Sequence, residues 1–215
     1  MNKAVIFDLD GTLLDTIPDI ADSVNQTLKH FGAPTVDYEF VRKAVGNGAR
    51  KLIERCFGDG FSKEEIDERL DYYNRLYTDS GSPKTCVYDG MGEVLIQLKK
   101  RGYKLGILTN KPQMTTDDVY ETYLKQYSFD VVVGFKQGIK VKPDPTVLNQ
   151  MLADLDVLQK NAYFVGDGET DVEVSINANV NNVTVLWGNR DKDELSNAGA
   201  KVFAENPEQL LMLIE

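Results

Sequence analysis

Near the N-terminus, the apolar run Ala4-Val5-Ile6-Phe7 ends in two aspartates, Asp8 and Asp10, followed at once by Gly11. The run carries β-branched and aromatic residues with no turn former inside it, which is the pattern of a buried strand. In an open α/β sheet, ligands bind beyond the carboxyl ends of the strands. Two neighbouring carboxylates at such a place repel each other and lose solvation. A cation between them, or a proton on one of them, relieves that cost.

The 215 residues are enough for one substantial core with a smaller inserted unit, and the formal charge of −10 argues against a nucleic-acid backbone as partner. Small anionic substrates stay open, because a metal or a few local bases reverse the field. No long apolar segment or leader is apparent, so the expected setting is cytoplasmic with no membrane partner. Cys56 and Cys86 read as two reduced thiols. His30, the single histidine, falls in a helical stretch as a surface or packing residue, which argues against a Ser-His-Asp triad and against a multi-histidine zinc site.

After residue 90, strands and helices alternate. Strands are expected at Tyr103 to Leu108, Phe129 to Val133, Ala162 to Val165 and Val183 to Leu186, with a short one at Val202-Phe203. Helices are expected at Met91 to Arg101, Thr115 to Tyr127, Pro145 to Leu155, Glu169 to Ala178, Asp191 to Ala198 and Pro207 to Ile214. Such alternation means a Rossmann-like parallel sheet with helices on both faces. Residues 16–83 break the rhythm with helical spacing throughout: Ile17 to Phe31, Tyr38 to Val45, Arg50 to Phe57, and a helix opened by Ser62 with Glu65 as capping-box partner. The expected division is an α/β core of residues 1–15 and 84–215, with an inserted α-helical cap of residues 16–83.

Chemistry-bearing residues follow each strand. Asp8 and Asp10 follow the first, Thr109-Asn110-Lys111 the second, Lys142-Pro143 the third, and Gly166-Asp167-Gly168 with Asp171 the fourth. Each has a plain reading alone: Asp10-Gly11 as a turn, Thr109-Asn110 as a helix cap, Lys142 as a solvated loop lysine, Asp167 to Asp171 as an acidic helix start. Together, on one sheet edge, they make a phosphate site. Carboxylates hold a hard divalent cation, a hydroxyl and backbone N–H groups hold phosphate oxygens, and a lysine offsets charge.

These four motifs resemble those of the haloacid dehalogenase-like superfamily: Asp8-Leu9-Asp10-Gly11-Thr12-Leu13, then Thr109, then Lys142, then Gly166-Asp167 with Asp171. The helical insertion is similar to the cap of the phosphoglycolate phosphatase and β-phosphoglucomutase branch, and Val45-Gly46-Asn47-Gly48-Ala49 to a cap segment of the phosphatases. The resemblance implies a sheet order of 5-4-1-2-3. It also implies Asp8 as a nucleophile forming an aspartyl-phosphate, and Asp10 as general acid and then base. Mg²⁺ would sit on Asp8, the backbone carbonyl of Asp10, and Asp167, with Asp171 a direct or water-mediated ligand. Thr109 and the N–H of Asn110 would hold the phosphoryl group, and Lys142 would neutralise it. Gly168 departs from the usual serine or threonine after the fourth-motif Gly-Asp. Asn179 stands where a glycine is usual, and asparagine tolerates the left-handed helix stop.

The implied activity is Mg-dependent hydrolysis of a small phosphorylated metabolite, with phosphoglycolate favoured and a monomer or homodimer as the working unit. A sugar-phosphate mutase of the same branch is the alternative, and a non-enzymatic aspartate-phosphorylated signalling module a weaker one. A dehalogenase is disfavoured because Asp10 and the metal ligands would be superfluous. The cap should select the substrate, with Gly46, Asn47, Gly48 and Arg50 as candidates. Arg50 could grip a substrate carboxylate bidentately; its plainer reading as an exposed helix arginine weighs slightly more. Tyr72, Tyr73 and Tyr77 read as cap packing.

Overall fold

The protein is described by a computed structural model covering residues 2–214. β1 (Lys3–Phe7) is the centre of a six-stranded parallel sheet. β2 (Leu14–Asp15) follows, then the helices α1 (Ile17–His30), α2 (Tyr38–Ala44), α3 (Ala49–Phe57) and α4 (Lys63–Ser80). The chain returns through β3 (Cys86–Val87), α5 (Met91–Lys100), β4 (Tyr103–Pro112), α6 (Gln113–Val119) and β5 (Val131–Phe135). It closes with α7 (Thr146–Asp154), β6 (Ala162–Gly166), α8 (Glu169–Ala178), β7 (Asn181–Val185), α9 (Lys192–Asn197), β8 (Phe203–Ala204) and α10 (Pro207–Leu213).

The sheet order is β5-β4-β1-β6-β7-β8. Counted from β7 to β5 this is the expected 5-4-1-2-3, with β8 added at the edge. β1 is buried on both faces, as an all-parallel sheet requires. Val5 and Phe7 pack with Met91, Val94 and Leu95 of α5 and Leu210 of α10. Ala4 and Ile6 pack with Leu148, Met151 and Leu152 of α7 and Val174 of α8. At about 25 cal/mol per Å² of apolar surface, such full burial makes this strand the hydrophobic anchor of the core.

The four helices α1–α4 surround their own apolar cluster, including Ile20, Val24, Leu28, Val41, Leu52, Ile53, Tyr73 and Tyr77. α4 begins with the expected capping box, in which the Ser62 hydroxyl accepts from the Glu65 N–H and the Ser62 N–H donates to the Glu65 carboxylate. The neck between this unit and the sheet is an antiparallel pairing of β2 with β3. It is reinforced by Asp19, whose carboxylate accepts from the Lys84 N–H at 3.0 Å and the Thr85 hydroxyl at 2.7 Å.

Several element bounds differ from the sequence pattern. β4 runs on through Thr109, Asn110 and Lys111 to Pro112 instead of stopping before them. The helix expected over Thr115 to Tyr127 is α6, then a π-helical turn at Tyr120–Leu124 and a 3₁₀ turn at Lys125–Tyr127, which stops at Ser128 with φ 54°. β5 begins at Val131, two residues past the expected Phe129, because Asp130 ends the preceding turn by accepting the Leu105 N–H and the Lys99 ammonium. Asn179 closes α8 in the left-handed region at φ 56°.

Candidate active site

The parallel pairing of β1 with β6 decides where the first acidic groups meet. The Asp8 N–H donates to the Val165 carbonyl at 2.8 Å, continuing the ladder, so Asp8 and Asp167 leave adjacent strands side by side. The first turn of α8 brings in Asp171. Carboxylate oxygens of Asp8, Asp167 and Asp171 all lie within 4.8 Å of one another, and all three residues are buried. Burial raises Asp8 to about 7, against the pull of Lys142 and with the charges of Asp171 and Asp167 adding to the rise. Burial and then Asp171 raise Asp167 to about 6, although the Asn189 N–H and the Thr12 hydroxyl favour its charged form. Such a cluster is short of positive charge.

Lys142 supplies part of that charge. Its ammonium lies 2.9 Å from Asp8 Oδ1 and 2.6 Å from Asp171 Oδ1, with the side chain 1% exposed. Burial opposes its charge, but Asp171 and Asp8 outweigh it and hold the ammonium protonated. One lysine against three carboxylates leaves room for a further cation. The donor set, oxygen only, suits a hard divalent ion. Gly166 and Gly188 serve the same cluster, since a Cβ at Gly166 would run into Asp171 and one at Gly188 into Asp167. Asp167 is fixed from outside by the Thr12 hydroxyl at 2.9 Å and the Asn189 N–H at 2.7 Å. Asp171 accepts the Gly168 N–H at 2.9 Å. This backbone bond needs no side chain at Gly168.

Thr109 and Asn110 stand on the neighbouring strand end. The Thr109 hydroxyl accepts the Lys111 N–H at 3.2 Å. The Asn110 side chain brackets the Lys142 backbone, accepting its N–H at 3.0 Å and donating to its carbonyl at 3.2 Å. Asn110 therefore positions the lysine, a function that the motif alone did not reveal. Its amide also lies 3.4 Å from the Gly46 carbonyl of the helical unit.

Asp10 is separated from the acidic trio and paired instead with Lys111, whose ammonium lies 3.0 Å and 3.3 Å from its two oxygens. Lys111 also donates to the Tyr77 hydroxyl of α4 at 2.9 Å. Burial opposes the charge on Lys111, but Asp10 and then Tyr77 overcome it. The sequence marked Lys111 only as part of a strand end and Tyr77 only as packing. Tyr77 does pack in the apolar cluster of the four helices, but its hydroxyl reaches the site.

A cleft of about 50 Å³ lies between the helical unit and the sheet edge, lined by Asp8, Asp10, Thr109, Asn110 and Lys111 below and by Gly46, Gly48, Leu52, Tyr73 and Tyr77 above. Of the cap candidates, Gly46 and Gly48 line it. Arg50 does not: it is half exposed and ion-paired with Asp67 of α4. Asn47 accepts from Arg55 at 2.6 Å and is likewise outside the lining. The segment after α2 is instead fastened by Arg190, which the sequence pattern did not single out. Its Nη2 donates to the Val45 carbonyl at 2.6 Å while its Nε pairs with Glu169 at 2.9 Å.

A parallel sheet with acidic groups at its carboxyl edge and a helical unit beside them is an α/β arrangement with a candidate active site at the strand ends. The chain belongs to the haloacid dehalogenase-like hydrolase family, whose model matches residues 5–185. It is 29% identical to a phosphoglycolate phosphatase of Colwellia psychrerythraea over 219 residues, covering 99% of this chain and 97% of that one. It is 32% identical to a phosphoglycolate phosphatase of Pseudomonas syringae pv. tomato, covering 97% and 76%. Among solved structures, a protein of Lactobacillus delbrueckii subsp. bulgaricus superposes with a TM-score of 0.93 at 26% identity, covering 100% of this chain and 99% of that one. A predicted phosphatase of Clostridium acetobutylicum superposes with a TM-score of 0.87 at 29% identity, covering 100% and 99%.

Proposed function

We propose that the protein is a divalent-metal-dependent phosphomonoester hydrolase that acts on a small phosphorylated metabolite of the phosphoglycolate type. The observation that carries this reading is the placement of Asp8 at the end of β1, beside Lys142 and the Asp167–Asp171 carboxylates, with Asp10 on a separate cation. Asp8 attacks phosphorus through a carboxylate oxygen and carries the phosphoryl group as an aspartyl-phosphate. Asp10 gives a proton to the departing alkoxide and later takes one from the attacking water. The Thr109 hydroxyl and the Asn110 N–H hold phosphoryl oxygens, and Lys142 offsets the charge gathering on them. Asp8, Asp167, Asp171 and the Asp10 backbone carbonyl would hold Mg²⁺. When bound, the ion neutralises the carboxylate cluster and stabilises charge on the phosphoryl oxygens. Residues 16–83 act as the cap that closes the cleft and excludes bulky alcohols.

The names of the relatives support hydrolysis over phosphoryl transfer between sugar hydroxyls. The helical insertion and the Asp8-x-Asp10 pair speak against a signalling module. Phosphate release from p-nitrophenyl phosphate with and without Mg²⁺, followed by a panel of phosphoglycolate, hexose phosphates, nucleotides and pyrophosphate, tests the proposal. Metal-dependent turnover with the highest kcat/KM on phosphoglycolate is expected. No release from any member of the panel contradicts it.

A further inference from the structure

Arg50, one candidate for a substrate carboxylate and by its plainer reading an exposed helix arginine, pairs with Asp67 and stands outside the cleft lining. A substrate of the proposed kind still needs a cationic partner for its second anion, because a carboxylate buried without one pays a large desolvation cost. Lys111 is the single Lys, Arg or His among the described residues that line the cleft. Arg190 lines an adjoining recess that shares Asp8 and Asp10, and is taken up by Glu169 and by the carbonyls of Val45 and Arg42.

We propose that Lys111 and Tyr77 form the recognition point for a second anionic group on the alcohol part of the substrate, a carboxylate in preference to a second phosphate. This rests on the phosphomonoesterase reading above and adds to it the residue that selects the substrate.

The geometry carries the proposal in three steps. First, the Lys111 ammonium is aligned from both sides, by Asp10 at 3.0 Å and by the Tyr77 hydroxyl at 2.9 Å, so no conformational search is needed to present it. Second, Tyr77 accepts from Lys111, and its own O–H has no acceptor among the described residues although the residue is only 4% exposed. A buried hydroxyl that accepts a bond and donates none is ready to donate to an incoming anion. Third, a carboxylate is a stronger acceptor for the ammonium than a neutral phenol is, so substrate can share Lys111 while gaining the Tyr77 proton as a second bond. Lys111 stands on β4 two residues beyond Thr109, whereas Tyr77 belongs to α4. An anion bound to both bridges cap and core next to the phosphate position, which limits the spacer to a short one.

The test compares kcat/KM for 2-phosphoglycolate, its analogue without the second anion, 2-hydroxyethyl phosphate, and ethylene glycol bisphosphate, in the wild type and in Lys111→Met, Lys111→Arg and Tyr77→Phe. The ratio of each substrate with a second anion to the one without it cancels any common effect of Lys111 on Asp10. For Lys111→Met the phosphoglycolate ratio should fall on the order of 30-fold, mainly through KM. Lys111→Arg should restore much of it, and Tyr77→Phe should lower it several-fold. A smaller fall in the bisphosphate ratio identifies the carboxylate as the preferred anion; a larger one overturns that preference. Equal loss on all three substrates, leaving the ratios unchanged, overturns the recognition role and leaves Lys111 as a positioning residue for Asp10. Absence of wild-type turnover on every substrate is a separate outcome, and it refutes the phosphatase reading on which the proposal stands.

Discussion

The Lys142 ammonium stands 2.9 Å from Asp8 Oδ1, joining the third-strand loop to the end of β1 across the mouth of the sheet. Removing this charge as Lys142→Met leaves three buried carboxylates facing one another. Breaking a buried pair by deleting one partner costs about 3–5 kcal/mol. Urea denaturation of the metal-free variant at pH 8 should show a loss of that size, with phosphatase activity abolished. A loss below about 1 kcal/mol, the range of exposed ion pairs, would mean that the cluster is hydrated and weakly coupled.

Metal and pH should act on stability together. Burial raises Asp8 from 3.8 to about 7 and Asp167 from 3.8 to about 6. An acid whose folded pKa lies above its unfolded value holds its proton more tightly in the fold. Its contribution is therefore full below the unfolded value, near pH 4, and is lost as pH rises through the folded value. For these two groups the window spans about pH 4 to 7. Mg²⁺ bound at the cluster would replace the missing protons, so its increase in Tm should be larger at pH 8 than at pH 5, and EDTA should remove it. An equal shift at both pH values would place the bound ion away from this cluster.

Arg190 links the sheet edge to the helical unit through the Val45 carbonyl at 2.6 Å. Arg190→Met should loosen the segment around Val45 and Gly46. The worth of one or two such bonds predicts a rise in KM of about three- to tenfold with a smaller change in kcat. Hydrogen exchange should accelerate over residues 42–48 and stay unchanged in β1. Unaltered exchange there would show that the cap edge is held by its own packing.

Much of this arrangement was legible because it depends on local pattern. An apolar strand ending in Asp8 and Asp10, a helix opening at Glu169, and a capping box at Ser62 and Glu65 each follow from a few adjacent residues. The sheet order followed from the resemblance carried by four motifs. What escaped was set by contacts distant in sequence. Lys111 meets Asp10 across 101 positions, and nothing in either neighbourhood announces the pair. Arg50 pairs with Asp67 on a different helix, while α3 turns its buried Leu52 and Ile53 toward the apolar cluster. β2 and β3, with two residues each, are too short for alternation to register. The end of α6 widened into π and 3₁₀ turns under apolar spacing that read as one continuous helix.

The central claim is that Asp8 carries the phosphoryl group, and rapid chemical quench tests it directly. The enzyme is mixed with ³²P-labelled phosphoglycolate and Mg²⁺, quenched in acid within milliseconds, and digested for peptide mapping. The account predicts an acid-stable, hydroxylamine-sensitive acyl phosphate on the peptide containing Asp8, absent from Asp8→Asn, which should also lose turnover while keeping its fold. Turnover retained by a folded Asp8→Asn, or label on another residue, would contradict it.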